Sequence, residues 1–282
     1  MKFFYHPVFE KHETGSMCPE KFSRIDKALS YLKENHEEIK PINGEEYIFR
    51  VHSKEYIDLI RNHSSIEDIS QPLSEAYASK KTYEAACYAA GASVDAAKLS
   101  LKGESSFALV RPPGHHAPFG GFCIFNNIVI AADYLLRKDK KVMVIDFDAH
   151  HGNGSQHFLK DRENVVYFST HEHPFYPGTG KESIDNCYNF PLSSGSGDKE
   201  FIDIIDNELK PLLNSFNPDV VGVSAGFDSM RDDPLTNLNL STFSYNELCK
   251  SISKYVPFFI LEGGYNPENV FKGVKQIFEY FD

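Results

Sequence analysis

Three apolar runs in this chain each lead into residues that carry chemistry, and this restricts the fold more than any other feature. Phe107-Ala-Leu-Val110 runs into Arg111-Pro-Pro-Gly-His115-His116-Ala-Pro-Phe-Gly-Gly121-Phe122. Lys141-Val-Met-Val-Ile145 runs into Asp146-Phe-Asp148-Ala-His150-His-Gly-Asn153-Gly. The run from Asp219 through Val-Val-Gly-Val-Ser-Ala-Gly-Phe ends at Asp228. Short continuous apolar runs bounded by turn residues read as strands buried on both faces, as in parallel sheets. In open parallel sheets, sites assemble beyond the carboxyl ends of the strands. The three runs therefore predict one shared site along one sheet edge.

Helical spacing fills the intervals. Ile25, Leu29 and Leu32 mark a helix over 23–35, and Ser53 suits the N-cap of a helix through Tyr56, Leu59 and Ile60. The alanine-rich stretch 82–101, the apolar stretch 127–136 and the segment 266–281 continue the pattern, with strands expected at the N-terminus, 165–169 and 258–261. Alternating strands and helices predict an α/β fold with a central, mostly parallel β-sheet flanked by helices. No repeat or low-complexity linker interrupts it, so residues 1–282 are expected to form a single domain. The loops at 11–20, 62–82, 171–186 and 229–242 are long enough to line a pocket.

Composition excludes some functions. A net charge of −11 argues against direct nucleic-acid binding and is compatible with a cationic substrate. No apolar run approaches the roughly 18 residues that span a membrane, and the first residues lack a signal-peptide pattern. Five cysteines without a Cys-x-x-Cys pair suggest reduced thiols in a cytoplasmic protein. Oligomeric state has no sequence signal.

The candidate site can be built from residue chemistry. On an extended strand, Asp146, Asp148 and His150 would project to one side. Asp148, His150 and Asp228 offer two carboxylates and one imidazole. Three protein ligands leave a position open on Zn2+ for water and a carbonyl; such a set also admits Fe2+ or Co2+. His115 and His116 lie between a Pro-Pro-Gly turn and a Gly-Gly-Phe loop and offer proton transfer beside the metal. The residues alone leave the division of labour between the two histidines open.

Taken together, Arg111-Pro-Pro-Gly-His115-His116, Gly121-Phe122-Cys-x-Phe-Asn, Asp146-x-Asp148-x-His150-His-Gly-Asn153-Gly, Tyr176-Pro-Gly-Thr-Gly, Ser-Ala-Gly-Phe-Asp228 and Glu-Gly-Gly-Tyr265 resemble the zinc-dependent histone deacetylase family, which includes the acetylpolyamine amidohydrolases. The likeness covers nearly the whole chain, with six motifs in family order. It implies that Asp146 orients His115 and Asn153 orients His116, the asparagine looking like the class II pattern. It implies that Tyr265 donates to the developing oxyanion, that Phe122 and Tyr176 wall a substrate tunnel, and that the Gly121 carbonyl accepts the substrate amide hydrogen. It also implies a structural K+ held mostly by backbone oxygens of Asp146, Asp148, His150, Ser169 and Thr170. The activity implied is removal of acyl groups from lysine side chains of a peptide or protein, or alternatively from an acetylated polyamine. Leu235, after Asp232-Asp233-Pro234, looks more like a lysine deacylase; Asp232 and Asp233 leave a cation preference open.

Two further readings fit the residues less well. A binuclear ureohydrolase needs extra carboxylates where this chain has Gly152 and Met230. A silent binding module would be expected to lose a ligand, a histidine or the tyrosine, and all are present. Two segments depart from the family pattern. Cys18-Pro-Glu-Lys21 stands where His-Pro-Glu-Arg is common, which leaves a channel-lining arginine in doubt. The stretch Ser70–Glu75, where some relatives carry a substrate-binding acid, gives no secure alignment.

Overall fold

A computed structural model describes residues 1–282. Eight strands form one sheet: β1 Lys2–Phe4, β2 Glu37–Ile39, β5 Ser106–Ala108, β6 Val142–Asp146, β7 Val165–Glu172, β8 Cys187–Leu192, β9 Val220–Ala225 and β10 Phe258–Leu261; β3 Ser70–Leu73 and β4 Ala76–Ala78 form a separate antiparallel hairpin. The sheet order is β2-β1-β5-β10-β9-β6-β7-β8, and every pairing in it is parallel. The apolar runs occupy its centre, where β6, β9 and β10 are buried along their whole length.

The helices pack in two groups. One contains 82–100, 127–136 and 153–159; the other contains 23–35, 198–204, 242–252 and 267–281. In the first group, Ala85, Ala89, Ala92 and Ala96 recur on one buried helical face, which lets that helix lie close to its neighbours. The Ser53 side chain accepts from the Tyr56 N–H, as its position predicts. No helix is long and apolar enough to cross a membrane. All five cysteines are free and buried.

Several elements differ from expectation. The strand expected at 165–169 continues to Glu172, because Thr170, His171 and Glu172 are buried and pair with β8. Their polarity conceals a strand whose side chains find partners inside the protein. The 62–82 loop contains the β3–β4 hairpin, whose strands are short and include Pro72. Strands β2 and β8 and the helices over 153–159 and 198–216 carry no strong periodic signal and were not anticipated.

Five adjacent strands point their carboxyl ends at one place. β5 leads to the tandem histidines, β6 to the Asp146–His150 segment, β9 to Asp228 and β10 to Tyr265, while β7 carries Ser169 and Thr170. The shared sheet edge predicted from the apolar runs is thus present.

Candidate active site

Beyond β6 the chain does not remain extended. The strand ends at Asp146, the Asp148 N–H donates to Asp146 Oδ1 at 3.2 Å, and the His150 N–H donates to Asp148 Oδ1 at 2.9 Å. Successive aspartate turns, rather than the pleat assumed from the sequence, set these side chains. They also divide them: Asp146 faces His115, whereas Asp148 and His150 face Asp228.

His150 Nδ1 lies 3.1 Å from Asp148 Oδ1 and 3.0 Å from Asp228 Oδ2. Backbone N–H groups hold other carboxylate oxygens, Gly263 on Asp148 Oδ2 at 2.7 Å and Ala149 on Asp228 Oδ1 at 2.9 Å. One donor atom from each of Asp148, His150 and Asp228 lies within 4.8 Å of the others, and all three residues are buried. A Cβ at Gly263 would overlap both carboxylates, so only glycine lets β10 approach. Burial and the charge on Asp148 push Asp228 up to about 7. For Asp148, burial acts upward, but His115 and His150 outweigh it and hold the carboxyl below its usual range. Two buried carboxylates crowded around one imidazole are the donor set that a divalent cation satisfies, so the residues fit zinc.

The tandem histidines sit side by side, ring centroids 4.0 Å apart, in contrasting surroundings. His115 Nδ1 is 3.1 Å from Asp146 Oδ2. Burial lowers its pKa, but the carboxylates of Asp148 and Asp146 prevail and raise it to about 10. His116 Nδ1 is 2.9 Å from Asn153 Oδ1. Burial and the neighbouring His115 and His150 hold His116 well below its ordinary value. The Tyr167 hydroxyl also donates to Asp146 Oδ2, at 2.9 Å; as an aromatic within a strand, it reads in the sequence as simple core. Glu262, equally unassigned from sequence, is fully buried and accepts from the N–H groups of Gly114 at 2.7 Å and His115 at 3.1 Å, and from the Ser224 hydroxyl at 3.1 Å. These bonds make Glu262 a brace for the histidine turn, and with His115 and Cys123 it forms a second close group of donor residues.

A cavity of about 290 Å3 opens onto these groups, lined by Pro19, Glu75, His116, Gly121, Phe122, His150, Phe175, Tyr176, Leu235 and Tyr265. Phe122 stands edge-on to Tyr265 at 5.7 Å, and Tyr176 edge-on to His116 at 5.3 Å. Phe122 holds φ +62°, a conformation that costs about 1–2 kcal/mol in a non-glycine residue. The β3–β4 turn holds this segment: Gly121 N–H donates to the Ser74 carbonyl at 3.3 Å and Phe122 N–H to the Glu75 carbonyl at 2.8 Å. Glu75, Phe175 and Pro19 are lining residues that the sequence does not assign. Phe175 lies 5.7 Å from the His150 ring and was legible only as the neighbour of Tyr176. Burial and the charge on Glu75 raise the Tyr176 hydroxyl pKa.

Three groups flank the site. Near Lys21, Arg24 is buried, its Nη1 approaching the Gly264 carbonyl at 3.4 Å and its guanidinium lying 5.9 Å from the Tyr265 ring centroid. Asp233 is buried, and its carboxylate accepts backbone N–H groups of Leu235, Tyr265 and Asn266; it is not available to a cationic substrate. Ser169 and Thr170 are buried on β7, Ser169 pairing with Asp146 across the strands and its hydroxyl meeting His171 Nδ1 at 2.9 Å.

The profile of the Histone deacetylase domain matches residues 16–281. The chain belongs to the histone deacetylase family. It is accordingly a hydrolase of amide bonds. It is similar to a probable deacetylase of Archaeoglobus fulgidus, at 32% identity over 94% of this chain and 81% of that protein. Its fold superposes on the crystal structure of the HDA15 HD domain with TM-score 0.94 and 30% identity, covering 100% of this chain and 90% of that one. It superposes on an acetylpolyamine aminohydrolase of Burkholderia pseudomallei with TM-score 0.88 and 27% identity, covering 100% and 98%.

Proposed function

We propose that this deacetylase-family protein removes acetyl or other acyl groups from lysine side chains, with one zinc ion held by Asp148, His150 and Asp228. The carrying observation is the cavity lining: two aromatic walls, Phe122 and Tyr176, and apolar Leu235 lead to His116, His150 and Tyr265. An extended methylene chain ending in an acylamide suits those walls. Bound zinc would supply Lewis-acid polarisation of the carbonyl and activation of water.

The remaining chemistry belongs to the side chains. His116, neutral and with Nδ1 engaged by Asn153, presents its other nitrogen to take a proton from water and return it to the departing amine. His115, fixed by Asp146, acts as an electrostatic partner. The Tyr265 hydroxyl donates to the carbonyl oxygen as negative charge develops there. The Gly121 carbonyl receives the amide N–H. A structural K+ is proposed beside the site at Asp146, Asp148, His150, Ser169 and Thr170.

Glu75 at the mouth favours a second reading, an acetylpolyamine substrate whose distal ammonium meets that carboxylate. Turnover of acetyl-lysine peptides, longer acyl-lysine peptides and acetylpolyamines by the zinc-loaded protein tests both. Higher kcat/KM on acyl-lysine peptides is expected. Preference for acetylpolyamines would overturn the lysine reading, and metal-loaded silence on the whole panel would overturn both.

A further inference from the structure

The turn that carries Tyr265 lies between β10 and the helix at 267–281, and the loop that carries Leu235 lies after β9. One carboxylate joins them. Asp233 Oδ2 accepts from Tyr265 N–H at 2.7 Å and Asn266 N–H at 3.2 Å, while Oδ1 accepts from Leu235 N–H at 3.0 Å. The intervening Pro234 has no N–H to compete, and Asp233 is only 6% exposed. Asp232, immediately before it, holds φ +69°, a conformation uncommon for a residue with a side chain. Its carbonyl accepts from Asn266 Nδ2 at 3.1 Å, so this turn also faces the Tyr265 segment.

We propose that Asp233 is a positioning residue that sets the Tyr265 hydroxyl through its backbone and, with the same carboxylate, the Leu235 wall of the tunnel. The proposal rests on the reading of Tyr265 as oxyanion donor. A carboxylate accepting backbone N–H groups makes charge-assisted bonds stronger than neutral ones, and displacement of a catalytic group by about 1 Å can cost on the order of 100-fold in rate. The two oxygens separate the functions. The bond to Leu235 is a local turn that a serine hydroxyl can also accept; the bonds to Tyr265 and Asn266 need the longer carboxylate.

Asp233→Ser tests this in the zinc-loaded enzyme, with rates taken per bound zinc and folding checked by thermal melting. The expected result is a kcat loss of about 10- to 100-fold, with KM changed less than about twofold because the Leu235 turn survives. In a Tyr265→Phe background the same substitution should cost less than about twofold, since residues acting as one unit are not additive. Equal kcat losses in both backgrounds would overturn the proposal and leave the oxyanion reading intact. Full activity of Tyr265→Phe alone would overturn both. If Asp233→Ser does not fold, Asp233→Ala carries the same cycle, with KM now also raised because both sides lose their acceptor.

Discussion

At the floor of the pocket, Asp148, His150, Asp228 and the tandem histidines follow β6, β9 and β5, and their carboxylate and imidazole partners are themselves buried. At the mouth, Glu75, Tyr176 and Leu235 come from three separate loops, and Tyr176 is 39% exposed. The floor is held by a parallel sheet, where each strand fixes its neighbour's position. The mouth is held by short-range bonds between loops. A site built this way can keep its chemistry constant while its choice of substrate varies, and the two halves should respond differently to mutation.

Removal of zinc by a chelator, or Asp148→Asn, tests the floor most severely. Turnover should fall below detection while the protein stays folded, with metal content and circular dichroism measured side by side. His116→Ala should retain zinc and lose about 10²–10⁴-fold in kcat; a comparable loss in His115→Ala with little in His116→Ala would exchange the roles given to the two histidines. Tyr265→Phe should retain zinc and lose about 10²–10³-fold, read from steady-state rates. At the mouth, Leu235→Glu should change kcat little and move kcat/KM toward acetylpolyamines by about tenfold, roughly one well-placed charge interaction. The smallest effect is expected for Tyr176→Phe, which keeps the ring: within about threefold on acetyl-lysine peptides, as for a part-exposed hydrogen bond, with acyl-length preference as the readout. If mouth substitutions matched floor substitutions in kcat, the division between them would collapse.

The same division governed what the sequence made legible. Asp148, His150 and Asp228 were legible because each follows an apolar run, and the runs are adjacent in the sheet. Even there the reason was partly wrong, since aspartate turns and not a strand pleat orient Asp148 and His150. Glu262 and Tyr167 went unread because each looks structural until its partner is known, and both partners are distant in sequence: His115 for Glu262, Asp146 for Tyr167. Glu75 lay in a stretch flagged for a substrate-binding acid but could not be aligned, because a turn of two short strands fixes its position and no periodicity marks it. The acid at Asp233 was legible only as a charge that left a cation preference open, because sequence shows a carboxylate and not the N–H groups that surround it.

Phe122 gives the enzyme an order of failure on heating. Its left-handed backbone is held by the β3–β4 turn, a two-stranded hairpin outside the main sheet with an irregular register. Isolated hairpins are marginal structures, and local openings begin in such regions. As the hairpin loosens, Phe122 can relax to an ordinary conformation, and the cavity it lines changes shape while the eight strands remain paired. Catalysis should therefore stop several degrees below the global melt and return on cooling, so that the protein's working temperature is set by its least protected turn.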